Sequence, residues 1–299
     1  MKTITAAELK ALAGSATLIH VLPEEHFAQQ HLPGAVNACV YEMVFLSKVA
    51  ELVADKSAAI IVYGAGAPSL DSSTAAEKLE KAGYTNVRDF RGGLTEWLQN
   101  GLAVEGTGLQ GDSINPDGIF EVDVEASVVR WTGRNLFNHH QGTVKLAGGR
   151  IEVQNGALKA ASFTLDMNRI VCEDLVDTAY NALLIRHLRD DDFFAVERFP
   201  AAEFICEHAE PLQACTPGTP NYTLHGTMTL RGVTKPLSCP AVIAAADAEH
   251  LTGQAQFELD RTLFGSHYGS GKLFAFLGKH VVNDHIHLHI KLHALRTSP

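Results

Sequence analysis

The stretch VEGTGLQGDSINPDG, residues 104–118, most limits what this chain can fold into. Glycine, aspartate, asparagine and proline dominate it, so it reads as a linker with little to bury. The residues on its two sides follow different periodicities, which one sheet cannot satisfy together. The chain is therefore expected to divide into a domain over 1–105, a linker over 106–118 and a second domain over 119–297.

Residues 1–105 alternate short apolar runs with amphipathic segments. Strands are expected at 16–22, 59–63 and 86–90, and helices at 24–30, 44–53, 72–82 and 94–100. A run such as Ile60-Ile61-Val62-Tyr63 suits a parallel sheet covered by helices on both faces. After the linker the period falls to two: Val122 and Val124 alternate with Glu121, Asp123 and Glu125. Strands are expected at 143–146, 150–153, 160–167, 202–208, 222–230, 237–245, 252–259 and 284–293, with one helix at 181–188. Ala147-Gly148-Gly149 and Arg231-Gly232 read as hairpin turns. This pattern points to a closed antiparallel barrel.

At 46% hydrophobic and 19% charged residues over 299 positions, the chain can bury a substantial core. Its net charge is −10 with no Lys/Arg cluster, which excludes nucleic acid as a partner. No apolar run approaches the ~18 residues of a membrane span, and MKTITAAELKALAG carries no secretory signal. Cys39, Cys172, Cys206, Cys215 and Cys239 are scattered, without a C-x-x-C pair. A reduced, cytoplasmic protein with free thiols is the expectation.

Between the apolar run at 60–63 and the helix expected at 72–82 lies the loop Gly64, Ala65, Gly66, Ala67, Pro68 and Ser69. Small-residue loops at that place can hold an anion through backbone N–H groups, and they often carry a nucleophile. This one has no cysteine, and no histidine lies between Tyr63 and Asn100. Asp71, Ser72 or Ser73 is expected to cap the following helix, with Glu77 closing a capping box.

Three segments of the first half together resemble the rhodanese family: LIHVLPEEHFAQQHLPGAVN at 18–37, IIVYG with STAAEKLEKAGYTNV between 60 and 87, and FRGGLTEWLQNGLAVEG at 90–106. The resemblance implies a sulfur-carrying cysteine at the strand end, with its pKa lowered by the loop and helix N-terminus. Gly64 stands there, and His20 and Leu22 replace the usual Asp and Arg of the first motif. A glycine cannot be a nucleophile, so the domain is expected to be catalytically inactive. The loop at 64–69 is then vestigial.

The second half resembles the YceI-like family. The likeness lies in HLRDDDFFAVERFPAAEF at 187–204, LHGTMTLRGVTKPLSCPAVI at 224–243 and FTLDMNRI at 163–170. It implies a lipocalin-like barrel whose lumen takes up a polyisoprenoid or similar lipid. Under it, the expected lipid contacts are Trp131, Phe163, Leu165, Met167, Leu184, Leu188 and Phe193. Phe194, Phe204, Met228, Phe257, Ile286, Leu288 and Ile290 complete the set. Period-two patterning alone fits a packed core equally well; the resemblance selects the lumen.

NDHIHLHIKLHA puts His285, His287, His289 and His293 on one face of a strand and Ile286, Leu288, Ile290 and Leu292 on the other. Two imidazoles so spaced can share a zinc ion. With the apolar face inward, the histidines belong on the solvated outside and need no metal. Metal binding through His285, His287 and His289, helped by His139 and His140, is a minor alternative. If a metal or a lipid head group binds at the barrel mouth, His139, His140, Arg134 and His187 are the first candidates.

The sequence thus points to a non-enzymatic binder or carrier of a long apolar lipid, without a cofactor. Its first domain is expected to be an accessory module for a protein partner. A rhodanese-fold sulfurtransferase or hydrolase of altered chemistry is the enzymatic alternative. The barrel resemblance admits a homodimer, for which no interface is readable.

Overall fold

The computed structural model describes residues 2–12, 14–108, 116–213 and 215–297. It forms two compact units divided after residue 112. Part of the expected linker, 109–115, lies outside the described residues.

The first unit is a five-stranded parallel sheet in the order β1-β5-β4-β2-β3. Its strands are β1 Lys2–Thr3, β2 Thr17–His20, β3 Val36–Asn37, β4 Ile60–Tyr63 and β5 Val87–Phe90. Its helices are α1 Ala6–Ala11, α2 Glu24–Gln29, α3 Phe45–Leu52, α4 Asp71–Lys81 and α5 Gly93–Gln99. The central strand β4 explains the layering. Ile60 and Val62 pack with Phe45 and Val49 of α3 and Ala75, Ala76 and Leu79 of α4. Ile61 and Tyr63 turn the other way, onto Leu9 of α1 and Leu94 and Trp97 of α5. Every residue of β4 is buried, which is why its sequence has no polar position.

The second unit is an antiparallel barrel. Its strands are β6 Gly118–Val122, β7 Val128–Arg134, β8 His139–Gln154, β9 Ala157–Cys172, β10 Ala201–Pro211, β11 Tyr222–Leu230, β12 Val233–Ala245, β13 His250–Asp260 and β14 His285–Arg296. Helix α6, Thr178–Arg189, follows β9, and short 3-10 turns occupy Arg261–Phe264 and Gly278–His280. The sheet closes because β13 pairs with both β12 and β14. β6 and β7 each pair with β14 and with β8, at different ends. They are two pieces of one interrupted stave, so nine strands make an eight-strand barrel.

Two local expectations fail. Ala147-Gly148-Gly149 is not a turn: β8 runs unbroken through it, with a register shift between Leu146 and Gly148. Gly149 faces Phe163 on β9, and a β-carbon there would press on the Phe163 ring and on Val122. The glycine lets an aromatic cross the strand pair closely, a use of glycine inside strands that looks like a turn in sequence. The real turn is Asn155-Gly156, with φ of 55° and 71°, the conformation that favours Asn-Gly. The cap of α4 also differs. Leu70 occupies the N-cap position without a side-chain bond. Glu77 pairs with Lys81 at 3.7 Å instead of closing a capping box.

Candidate functional site

Inward-pointing side chains of the barrel strands do not fill the interior. Two adjoining voids remain, sharing Val129, Leu165, Met228 and Leu288 as walls. The centre of a water-sized sphere can move through about 100 Å³ of the first and about 90 Å³ of the second. One water needs roughly 10–15 Å³ on that measure, so each void has room for a group of several atoms. No charged side chain stands on those walls; Gln254 is polar but exposed to solvent, and the Trp131 indole N–H donates to the Thr143 carbonyl at 3.3 Å. Burial pushes the thiol of Cys239, a wall residue, up to about 11, and nearby Cys206 adds to the shift. A void so lined stays dry and favours an apolar guest.

The structure distributes the expected lipid contacts as follows. Phe163, Phe204, Phe257 and Ile290 line the first void. Trp131, Met167, Leu188, Phe193, Phe194 and Ile286 line the second. Leu165, Met228 and Leu288 stand on both. Leu184 is not on either wall; it borders a separate surface pocket with His140, Leu175, Tyr180, Leu183 and His187. Helix α6 buries only Leu188, because a single turn of it meets the barrel end.

Several wall residues were not expected. Ile151 and Leu146 sit on β8, where the mistaken turn hid the period-two pattern. Leu158 and Ala161 extend the apolar face of β9 toward the Asn155-Gly156 turn. Their signal was present in the sequence: Asn-Gly marks the hairpin, and inward alternation runs back from it.

One end of the barrel is closed by α6 and by the segment between β13 and β14. Arg261 holds that segment. It is fully buried and donates to the carbonyl oxygens of Ser266 at 2.7 Å, Tyr268 at 2.7 Å, Asn283 at 3.0 Å and Val282 at 3.1 Å. Its guanidinium lies 5.1 Å from the ring centre of Phe193, a wall of the second void. His187 packs edge-on against Tyr268 and Phe193, with ring centres 4.3 Å and 5.7 Å away. Nothing in the sequence marks Arg261 as interior, since a lone charged residue at a strand end is usually solvated.

The histidine face of β14 turns outward. His287 meets Glu258 at 3.4 Å and His289 meets Gln256 at 3.3 Å, both across the β13 pair. His285 and His139 are exposed. Among the described residues, the group whose donor atoms gather within 4.8 Å is His140, Cys172 and Asp174. Asp174 accepts from Gln141 N–H at 2.7 Å, bonds His140 Nδ1 at 2.9 Å and accepts from the Cys172 thiol at 3.2 Å. Burial would raise the Asp174 pKa, but the Gln141, His140 and Cys172 bonds outweigh it and hold it at about 2. These three residues are the set that could hold a metal ion. In their present arrangement they tie the ends of β8 and β9 to the segment leading into α6.

In the first unit, the loop at 64–69 is occupied by the chain itself. The carboxylate of Asp71 accepts the Ala65 N–H at 3.0 Å, the Ser69 hydroxyl at 2.7 Å and the Ser72 N–H at 2.5 Å. Asp71 is buried, so an internal anion takes the place an external one would need. Ser72 and Ser73 are buried as well, and Ser73 donates to the Leu70 carbonyl at 3.0 Å. Cys39 is buried. His20, beneath the sheet end, is fully buried, and its Nε2 has no hydrogen-bond partner. Burial, with smaller contributions from His31 and His26, lowers its pKa to about 4; Asp71 opposes the shift.

The sequence matches the YceI-like domain over residues 120–294 and the rhodanese-like domain over residues 5–100. A curated relative, the HTH-type transcriptional regulator Rv0324 of Mycobacterium tuberculosis, is 35% identical over 104 residues, which are 34% of this chain and 44% of the relative. The chain thus spans less than half the length of that relative. Two solved structures are similar. BcnA of Burkholderia cenocepacia is 20% identical with a TM-score of 0.45, covering 57% of this chain and 98% of its own. A polyisoprenoid binding domain from Saccharophagus degradans is 12% identical with a TM-score of 0.43, covering 60% of this chain and 98% of its own.

Proposed function

The chain belongs to the YceI-like family through residues 120–294, and on that premise we propose that its barrel binds and carries a polyisoprenoid or a similar long apolar lipid. The observation that carries this reading is the pair of adjoining voids with hydrocarbon walls. A lipid chain entering them gains ~25 cal/mol for each Å² of apolar surface withdrawn from water. The lumen offers no charged side chain to position a reacting group, which suits binding rather than chemistry. The reading calls for no cofactor.

The rhodanese-like domain is assigned an accessory, non-catalytic role, in contact with a protein partner. Gly64 offers no nucleophile, and Asp71 fills the cradle in which an anionic substrate would sit. No described helix is long and apolar enough to cross a membrane. The five free cysteines, four of them buried, suit a reducing compartment, and the proposal places the protein in the cytoplasm.

Mass spectrometry of an organic extract tests the central claim. Protein purified from its native source is expected to release a long-chain isoprenoid or comparable lipid in near-stoichiometric amount. Extracts that stay empty across preparations would remove the carrier reading. A thiosulfate–cyanide assay separates the enzymatic alternative: turnover above a Cys39→Ser control would restore it.

A further inference from the structure

We infer that the α6-capped end of the barrel docks on the surface of a lipid bilayer that contains anionic lipids. This deepens the carrier reading and rests on it for its purpose, since a long apolar lipid must be taken from a membrane.

The first observation is a set of exposed apolar side chains on three segments at that end. Phe137 is 79% exposed, Val176 94% and Phe276 fully exposed, joined by Leu136, Tyr180 and Phe274. They come from the β7–β8 loop, the α6 segment and the β13–β14 segment. The three meet at one end of the barrel. Asn135 bridges to Val282, and Asn283 N–H donates to the Arg134 carbonyl at 2.8 Å. His140 and α6 share one surface pocket. Single exposed apolar residues are ordinary, but several on adjoining segments of one barrel end mark an interaction site. Phe276 also has φ of 58°, a left-handed conformation that a bulky residue adopts at a cost. The backbone thus holds an aromatic ring out in water by a strained route.

The second observation is charge. Residues 134–140 and 265–283 contain no Asp or Glu, in a chain whose net charge is −10. They carry Arg134, Lys272 and Lys279, with His139, His140, His267 and His280. Lys272 is itself paired with Asp260 at 3.4 Å. The α6 segment, unlike the two loops, carries carboxylates: Glu173 pairs with Arg130, Asp174 bonds Gln141, His140 and Cys172, and Asp177 caps the helix. On the two loops, aromatic and aliphatic tips stand among Arg134, Lys279 and four histidines, a composition that matches the interface of an anionic bilayer.

The third observation is continuity with the lumen. Leu188, Phe193 and Phe194 form the wall of the second void at this end, beneath the same segments that carry the exposed set. A bilayer touching that set stands next to the cap of the apolar interior.

Vesicle flotation of the full chain tests the surface. Vesicles of phosphatidylcholine with roughly one-third phosphatidylglycerol are expected to carry the protein up the gradient, and added salt to weaken this. Pure phosphatidylcholine should carry less. The double variant Phe137→Ser, Phe276→Asn should lose tenfold or more of the vesicle partition, about the worth of one buried aromatic side chain. Both sites are exposed, and asparagine tolerates the left-handed backbone, so the variant is expected to fold. Leu212→Ser, an exposed apolar site at the end of β10, should float like the parent. Equal flotation of the double variant, or no flotation with either vesicle, overturns the surface. So does a dimer that the double variant converts to monomer. Lipid extracted from the same samples separates the two claims. A loaded barrel that ignores vesicles sinks the docking surface alone, and vesicle binding by a persistently empty barrel sinks the carrier reading alone.

Discussion

The carboxylate of Asp71 occupies the space that a β-carbon on Gly64 would fill. Position 64 therefore has no room for a side chain while Asp71 keeps this place. The Asp71 bonds to Ala65, Ser69 and Ser72 satisfy donors that would otherwise face a bound anion.

Restoring the cysteine alone should therefore fail. Gly64→Cys is expected to lower stability by about 1–3 kcal/mol through overpacking against Asp71, and to give no turnover of thiosulfate. Asp71→Ala should free the loop donors. Sulfate should then raise the melting temperature of Asp71→Ala and leave the parent unchanged. A parent equally stabilised by sulfate would show that Asp71 does not block the loop.

The waist shared by the two voids is the place to tell lumen from core. Met228→Trp adds bulk where both voids meet. If the space is there for a ligand, the variant keeps its far-ultraviolet circular dichroism and melts within a few degrees of the parent, but its extract loses the lipid. A tightly packed core would instead be strained by about 1–3 kcal/mol. Lipid retained at the parent level would remove the waist from the binding path.

Acid should weaken the first unit through His20. Its native pKa of about 4 lies below its ordinary value of 6.5, so its contribution to stability is complete above pH 6.5. The contribution declines as the pH falls, because the unfolded chain binds a proton that the native state refuses, and it is gone below about pH 4. The span corresponds to about 3 kcal/mol. Asp89, whose pKa burial raises, acts in the opposite sense, so the comparison must be between variants. His20→Phe, packed against Tyr63 and Phe27, should show a flatter urea midpoint between pH 6.5 and 4. Parallel pH profiles for variant and parent would refute the assignment.

Arg261 should be the least replaceable residue of the barrel cap. It supplies donors to four carbonyl groups, and Arg261→Met leaves all four without this partner. A loss of about 3–5 kcal/mol is expected, with limited proteolysis cutting first within 265–284. Arg261→Lys offers one point charge in place of a planar fork and should rescue little. Full stability in Arg261→Lys would contradict this account.

Much of the architecture was legible in the residues. The all-apolar Ile60–Tyr63 strand demands cover on both faces, and the strict alternation at 285–292 by itself assigns histidines outward and aliphatics inward. Both follow from local geometry, since side-chain direction repeats every two residues along a strand. Recognition of both families was equally local, carried by short contiguous segments. Arg231-Gly232 was readable as a turn, and its φ values of 55° and 72° agree. Gly148-Gly149 was not, because a glycine admitted for a close strand crossing and one admitted for a turn look alike until the opposing Phe163 is in place. Three relationships belonged to the tertiary structure alone. Asp71 enters the loop of Gly64 because a backbone turn returns it there. Arg261 is interior because the chain folds back on it, bringing the Ser266 and Tyr268 carbonyls together with those of Val282 and Asn283, some twenty residues on. The barrel stays open because its inward side chains, each merely apolar in the sequence, sum to less volume than the closed sheet encloses. Periodicity tells which way a side chain points; only the closed sheet determines what stands opposite it.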